Sequence, residues 1–130
     1  MTEDKKSYKI LLLDDDQFLI DMYSLKFTQA GHTVQPCFSV DEALTALRTG
    51  LDMDAVVFDL VMPGKDGFDF LRTIKDEKLS PRATLIALTN QSADEERKKT
   101  AELGAHEYIV KAMTIPSEVV DLVIKSIQKH

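Results

Sequence analysis

One stretch in the middle of the sequence limits the folds that are open to this chain. An uninterrupted apolar run, Ala55–Phe58, ends in the carboxylate Asp59 and is followed by a Pro-Gly-Lys-Asp-Gly segment at 63–67. An apolar run bounded by polar residues is typical of a strand buried on both faces, and proline and glycine favour a turn after it. We therefore predict that Asp59 lies where a buried strand opens into a loop before a helix, which is where ligands bind in open α/β sheets.

The same arrangement of an apolar strand followed by a polar residue occurs three more times. Asp14 and Asp15 follow the first run, Thr89 follows a run in the second half of the chain, and Lys111 follows the last run. If the strands are parallel, their carboxyl ends lie at one edge of one sheet. With Asp59, that edge would carry three carboxylates, one hydroxyl and one ammonium group, so the sequence predicts a functional site built from strand ends.

The three aspartates at this edge need positive charge close to them. Carboxylates repel one another when they share a site, and a nearby cation offsets that repulsion. Lys111 supplies one charge, and we expect a hard divalent ion with oxygen ligands to supply the rest. Mg²⁺ is the ion that we predict at Asp14, Asp15 and Asp59, because it is bound through one or two carboxylates, keeps several waters and also binds phosphoryl oxygens.

Five strands alternate with five helices in the predicted secondary structure. Pro36 lies inside the second strand, and proline cannot donate a ladder hydrogen bond, so we expect this strand at a sheet edge. The connections suit right-handed helical crossovers between parallel strands. We therefore predict an α/β fold with a doubly wound, five-stranded parallel sheet in the flavodoxin-like order 2-1-3-4-5.

The predicted strands are 8–13, 33–38, 55–58, 84–88 and 108–110. The predicted helices are 17–30, one that begins at 39 or 41 and stops at Gly50, one from 68 to 78, one at 93–103, and one that begins at 114–117 and runs to the C-terminus. In the first helix, the apolar positions with largely helical spacing are Phe18, Leu19, Met22, Leu25 and Phe27.

Composition limits the classes of function. The 130 residues are 44% hydrophobic and 29% charged, which is typical of one folded domain, and we expect a flexible tail at 1–7 before a domain at 8–130. The formal net charge of −6 argues against direct nucleic-acid binding. A single cysteine, Cys37, excludes an internal disulfide. With no secretory signal and no long apolar stretch in the sequence, we expect a cytoplasmic protein without a membrane segment.

Motifs of several other protein classes are missing from the sequence. Neither the phosphate loop G-x-x-x-x-G-K-[ST] nor the dinucleotide motif G-x-G-x-x-G occurs. A phosphatase of the haloacid-dehalogenase type has Asp-x-Asp-x-Thr/Val after its first strand; Asp14 and Asp16 match the two aspartates, but Phe18 stands at the last position. The three histidines have no metal-ligand spacing and are interpreted as surface or loop residues.

The motifs at and after the strand ends are each weak alone, but their order and spacing together are highly specific. They are Leu13-Asp14-Asp15-Asp16, Val57-Phe58-Asp59 with Met62-Pro63 and Asp66-Gly67, Ala87-Leu88-Thr89, Gly104-Ala105, and Tyr108-Ile109-Val110-Lys111. In these motifs the chain resembles the receiver domain of two-component response regulators, over about 8–129.

The resemblance implies a role for each residue of the predicted site. Asp59 would accept a phosphoryl group from a histidine kinase or a phosphotransfer protein, and Thr89 and Lys111 would contact the phosphoryl oxygens. The implied protein ligands of Mg²⁺ are Asp14, Asp15, Asp59 and the backbone carbonyl of Val61. A receiver of this kind is a phosphoacceptor regulator and not an enzyme with separate substrates.

The resemblance also implies how a signal leaves the domain. Thr89 and Tyr108 would form a switch that biases the surface of helix 4, strand 5 and helix 5 toward a downstream protein or a second copy of the chain. Because the sequence ends at His130, just after the fifth helix, we expect a stand-alone receiver. One departure from the family pattern is Ala112, which follows Lys111 where the family usually has proline, so we expect a reshaped loop after the fifth strand.

Three hypotheses about function remain open at this point. The leading one is a stand-alone phosphoacceptor switch. The alternatives are a degenerate receiver that serves purely as a protein-interaction module, or the receiver half of a larger regulator. A Mg²⁺-dependent phosphatase is the third, and it is disfavoured because its Thr/Val position is not matched.

Overall fold

The structure is a computed structural model that describes residues 7–130. Residues 1–6 of the predicted flexible tail lie outside the described part. The described elements are β1 (Lys9–Leu13), α1 (Gln17–Gln29), β2 (Thr33–Cys37), α2 (Val40–Arg48), β3 (Ala55–Phe58), α3 (Gly67–Glu77), β4 (Thr84–Thr89), α4 (Asp94–Glu102), β5 (Glu107–Val110), a 3₁₀ turn (Lys111–Met113) and α5 (Pro116–Lys129).

The five strands form one parallel sheet with the order β2-β1-β3-β4-β5. This confirms the predicted fold class and strand order, and it places β2, which contains Pro36, at an edge. In the register of the sheet, Leu13 pairs with Phe58 and Thr89 pairs with Val110. The residues that follow these pairs therefore leave the sheet side by side.

The core lies on both faces of this sheet. One apolar cluster joins Leu11 and Leu13 of β1 to the inner faces of α2 and α3. The other joins Ile10 and Leu12 to α1 and α5. Alternate residues of a strand point to opposite faces, so a strand covered on both faces must be apolar throughout. The continuous apolar run of β3, which is buried at all its positions, has this cause.

The buried face of α1 coincides only in part with the apolar positions predicted from the sequence. Ile20, Tyr23 and Phe27 are buried against the sheet. Phe18 and Leu25, seven positions apart and hence on one side of the helix, are 74% and 56% exposed. Phe27 was among the predicted positions, and Leu19 and Met22 pack against the same cluster, so the sequence pattern identified the helix and part of its inner face.

The helix ends are capped in a way that leaves Asp59 free for another role. Asp16 caps α1 by accepting the backbone N–H of Leu19 at 3.3 Å. Asp66 caps α3, where its side chain and that of Asp69 form a reciprocal capping box.

Within residues 7–130, none of the helices is both long enough and apolar enough to span a bilayer.

Candidate functional site

The carboxyl ends of β1, β3 and β5 bring three ionisable side chains together. Asp14 follows β1 and Asp59 follows β3, while Lys111 is the first residue after β5. The Nζ atom of Lys111 donates hydrogen bonds to the Oδ2 atoms of Asp14, at 2.5 Å, and Asp59, at 2.9 Å. The side chains of all three residues are nearly buried. An ammonium group therefore lies between two carboxylates at the edge of the sheet formed by the carboxyl ends of the strands.

The carboxylate of Asp59 is held on both of its oxygens. Its Oδ1 atom accepts the backbone N–H groups of Leu60, at 2.7 Å, and Val61, at 3.3 Å. Its own backbone N–H donates to the carbonyl oxygen of Leu13 at 3.0 Å. Asp59 is 7% exposed. The side chain is thus oriented by its own loop and by Lys111, with a small opening to solvent.

Asp14 is the more deeply buried of the two aspartates, at 4% exposure. Burial raises the pKa of Asp14, because desolvation disfavours the charged carboxylate more than the hydrogen bonds from Lys111 and the Asp16 amide favour it. Burial alone would lower the pKa of Lys111, but its hydrogen bonds to Asp14 and Asp59 outweigh that effect and raise it. Lys111 therefore stays charged at neutral pH, and one ammonium faces two carboxylates.

Asp15 completes a cluster that is suited to a metal ion. One carboxylate oxygen each from Asp14, Asp15 and Asp59 lies within 4.8 Å of the others, and no second group of this kind occurs among residues 7–130. Asp15 is exposed, in contrast to its two partners. Hard carboxylate oxygens with an open side are what Mg²⁺ requires, since this ion keeps part of its water shell. The donor set fits the predicted ion.

Thr89 and Tyr108 contact the same residue, Gln91. Thr89, the last residue of β4, is fully buried, and its Oγ1 atom accepts the backbone N–H of Gln91 at 3.3 Å. The hydroxyl of Tyr108 donates to the carbonyl oxygen of Gln91 at 2.6 Å. The guanidinium of Arg97 lies over the Tyr108 ring, 4.6 Å from its centroid. Gln91 therefore links the strand end at Thr89 to the aromatic side chain on β5.

Asn90 makes a contact that no motif in the sequence predicted. Its Oδ1 atom accepts the backbone N–H of Ala112 at 3.0 Å, which joins the loop after β4 to the 3₁₀ turn after β5. Ala112 is also the residue at which the sequence departs from the family pattern and at which we expected a reshaped loop. The only sequence signal was the polar Asn-Gln pair directly after Thr89, since short polar side chains often bond to nearby backbone in loops.

Comparisons with protein families and curated sequences agree with this geometry. The model of the response regulator receiver domain family matches residues 10–124. The response regulator SaeR of Staphylococcus aureus is 31% identical over 111 residues, which cover 85% of this chain and 46% of SaeR. The chain therefore spans less than half the length of this curated relative.

Solved structures show the same fold. The chemotaxis response regulator CheY4 of Vibrio cholerae superposes with a TM-score of 0.84 at 22% identity, covering 93% of this chain and 99% of that one. The BeF3-activated receiver domain of DrrB, a response regulator of Thermotoga maritima, has a TM-score of 0.80 at 28% identity, covering 95% of this chain and 99% of that one. The first likeness concerns the fold alone, because its sequence identity is low.

Proposed function

This chain belongs to the response regulator receiver domain family, and from that premise we propose that it is a phosphoacceptor switch of a two-component phosphorelay. Asp59 takes the phosphoryl group from a histidine kinase or a phosphotransfer protein. The observation that carries the proposal is the position of the Asp59 carboxylate, which lies at a strand end with its Oδ2 atom 2.9 Å from the Lys111 ammonium. As a regulator of this kind, the chain is not an enzyme with separate substrates.

The chemistry proposed for Asp59 is a single phosphoryl transfer. The phosphorus–nitrogen bond of the donor phosphohistidine breaks, an acyl phosphate bond forms at an oxygen of the Asp59 carboxylate, and the released imidazole takes up a proton from solvent. Lys111, charged at neutral pH, offsets the negative charge of the transferred group. The hydroxyl of Thr89 donates to a phosphoryl oxygen; its oxygen accepts the Gln91 N–H through a lone pair, so its own proton is available for this bond.

Mg²⁺ is the cofactor that fits the carboxylate cluster. The residues that would hold it are Asp14, Asp15 and Asp59 together with the backbone carbonyl of Val61. When bound, the ion would supply positive charge to the phosphoryl oxygens during transfer. Support for this comes from the three carboxylate oxygens within 4.8 Å of one another and from the uncompensated negative charge beside Lys111.

The output of the switch is proposed to pass through the surface of α4, β5 and α5. Gln91 lies between Thr89 and Tyr108, so a change at the phosphorylation site reaches β5 through one residue. Along β5 and α5 runs an open groove of about 500 Å³, lined by apolar and polar side chains that include Met113 and Leu122. A downstream protein, or a second copy of the chain, would bind there.

We also propose bounds for the domain, a cell compartment and an alternative for the length of the natural protein. We place the receiver unit at 8–130 and the protein in the cytoplasm, where the buried free thiol of Cys37 stays reduced. The net charge of −6 makes nucleic acid a poor direct partner. The receiver half of a larger regulator is a second candidate, because the matched segment covers only 46% of SaeR.

Incubation with acetyl phosphate distinguishes between a phosphoacceptor, a pure interaction module and a phosphatase. We expect the protein, incubated with acetyl phosphate and Mg²⁺, to gain a single phosphoryl adduct in its intact mass. Asp59→Asn and excess EDTA should each abolish the adduct, while the matched variant Asp66→Asn, altered in the same loop, should keep it. No adduct with any donor would point to a pure interaction module, and turnover of many equivalents of acetyl phosphate would point to a phosphatase.

A further inference from the structure

The turn that carries Lys111 is tied to the strand that carries Thr89 by one side chain. Lys111 begins a 3₁₀ turn whose internal bonds are the Thr114 N–H to the Lys111 carbonyl, at 3.2 Å, and the Thr114 hydroxyl to the Val110 carbonyl, at 2.7 Å. The first N–H groups of such a turn have no partner within it. The N–H of Ala112 finds its partner in the Oδ1 atom of Asn90, at 3.0 Å.

This contact lies directly beyond the last residue pair of the β4–β5 ladder. Thr89 and Val110 are that last pair. Asn90 follows Thr89, and Ala112 stands two residues after Val110, so the side chain spans the gap where the two chains leave the sheet. The hydrogen bond replaces the backbone pairing that ends there.

The two residues that the contact holds in place are the ones that would meet the phosphoryl group. Thr89 is next to Asn90 and Lys111 is next to Ala112. The position of the Lys111 backbone sets where its Nζ atom can reach, and this atom already bonds to both Asp14 and Asp59. Catalysis by positioning is sensitive to small displacements of such groups.

The contact also sets a requirement on residue 112. A backbone N–H must be present there, and every residue except proline supplies one. Alanine at this position meets the requirement without adding a side chain that would compete for Asn90.

We infer that Asn90 is a positioning residue for phosphoryl transfer to Asp59. By accepting the Ala112 N–H, it fixes the distance between the Thr89 hydroxyl and the Lys111 ammonium. The inference rests on the proposed function, but the hydrogen bond itself can be measured without any phosphorylation.

The first measurement is amide hydrogen exchange in the unmodified protein. Asn90→Ala should speed exchange of the Ala112 amide by roughly two- to tenfold, the effect of losing one solvent-accessible hydrogen bond, and should leave the buried Ile86 amide unchanged. An unchanged exchange rate of the Ala112 amide in Asn90→Ala would overturn the inference, because the hydrogen bond on which it rests would be absent in solution.

The second measurement is a double-mutant cycle on the rate of adduct formation from acetyl phosphate at saturating Mg²⁺. Asn90→Ala and Ala112→Pro remove the acceptor and the donor of the same bond, so each should slow the reaction by roughly two- to tenfold, and the double variant should be no slower than the slower single variant. Ala112→Gly keeps the N–H, adds no side chain that could compete for Asn90, and should react at the wild-type rate.

Two outcomes separate a failure of this inference from a failure of the proposed function. An unchanged rate in Asn90→Ala, or fully multiplicative effects in the double variant, would overturn the positioning role while leaving Asp59 as the acceptor. No adduct in the wild-type protein would remove the proposed function, and with it the positioning role, even if the exchange experiment finds the hydrogen bond.

Discussion

The hydroxyl of Tyr108 lies 2.6 Å from the carbonyl oxygen of Gln91, and this hydrogen bond attaches β5 to the loop after β4. The N–H of the same Gln91 donates to Thr89 at 3.3 Å. Gln91 is therefore bound through its two backbone groups to two different side chains. This pair of contacts gives the proposed switch a physical connection between the buried site and the protein surface.

The first prediction concerns that connection. A beryllofluoride mimic bound at Asp59 should shift the NMR signals of amides along α4 and α5. Thr89→Ala should suppress these remote shifts while the mimic stays bound, because the hydroxyl that moves is gone. Thr73→Ala, whose hydroxyl donates to the Asp69 carbonyl on α3, is the matched control and should respond as the wild type does. Shifts confined to the loops after β1 and β3 would contradict this output route.

The second prediction concerns the cost of the buried charge at Asp14. The pKa of Asp14 is raised in the folded protein, mainly by burial, so folding disfavours its ionised form. At pH 7, in metal-free buffer, Asp14→Asn should therefore increase the free energy of unfolding by about 1 kcal/mol. The same change should weaken Mg²⁺ binding and slow phosphorylation. The unfolding free energy is read from urea denaturation.

The sign of this effect can be checked against pH. A group whose pKa is raised by folding adds stability when it is protonated and loses that contribution as the pH rises. The gain from Asp14→Asn should therefore shrink as the pH is lowered below neutrality, because a growing share of Asp14 is protonated in the folded state. Asp21→Asn, an exposed change on α1, should leave stability nearly unchanged at all of these pH values. Destabilisation by Asp14→Asn at pH 7 would mean that the ion pair with Lys111 outweighs burial.

The strands and their polar ends could be predicted from the sequence because both follow from local pattern. A strand buried on two faces has to be apolar, and a side chain that must reach the site has to be polar and has to stand at the end of the strand. Observed bounds differ from the predicted ones by one or two residues at most. Asp14, Asp59 and Lys111 could therefore be placed together from the sequence alone.

The sequence pattern was insufficient in two places. It could not distinguish between two apolar faces of one helix, and it could not predict a contact between two loops. In α1, Phe18 and Leu25 are as hydrophobic as Ile20 and Tyr23, and only packing against the sheet and α5 selects the inner face. The bond from Ala112 to Asn90 depends on how two loops leave the sheet. No periodicity encodes such a contact, because its partners are 22 residues apart.

The third prediction concerns Gly67, at the start of α3. A Cβ atom on Gly67 would overlap the carbonyl oxygen of Asp59 and would lie 2.7 Å from the Cα atom of Leu60. These are backbone atoms of the loop that orients Asp59, so they cannot move away without disturbing the site. Gly67→Ala should lower the free energy of unfolding by about 3 kcal/mol and slow formation of the Asp59 adduct. Urea denaturation and the intact-mass assay measure the two effects.

Gly50 offers a matched comparison. It has a positive φ of +95°, but no atom lies within 4 Å of the place that a Cβ atom would take, so Gly50→Ala carries backbone strain without a clash. It should cost about 1 kcal/mol and leave the phosphorylation rate unchanged. Equal losses in the two variants would show that the loop around Asp59 yields to the methyl group.

Two histidines, predicted from the sequence to be surface or loop residues, hold the amino ends of β1 and β4. The Nδ1 atom of His32 accepts the backbone N–H of Tyr8 at 3.1 Å, and the Nδ1 atom of His106 accepts the backbone N–H of Leu85 at 2.9 Å. An imidazole nitrogen can accept a hydrogen bond only while it carries no proton. Each contact therefore requires the neutral side chain.

Burial acts on these histidines in the same direction. It lowers the pKa of His32. Burial also lowers the pKa of His106, with smaller contributions from His130 and Lys75 in the same direction and an opposing one from Glu107. Folding thus favours the neutral form of both.

The last prediction follows from this preference. A group whose pKa is lowered by folding contributes stability above its unfolded pKa, near 6.5 for histidine, and that contribution is lost as the pH falls through the lower pKa of the folded state. The free energy of unfolding of the wild-type protein should therefore decrease between about pH 7 and pH 5. Asparagine can place its Oδ1 atom near the position of Nδ1 and does not titrate, so His32→Asn with His106→Asn should flatten this slope. Either substitution alone should flatten it only in part. Parallel curves for the double variant and the wild type, measured by urea denaturation at each pH, would show that neither histidine contributes to the pH dependence of folding.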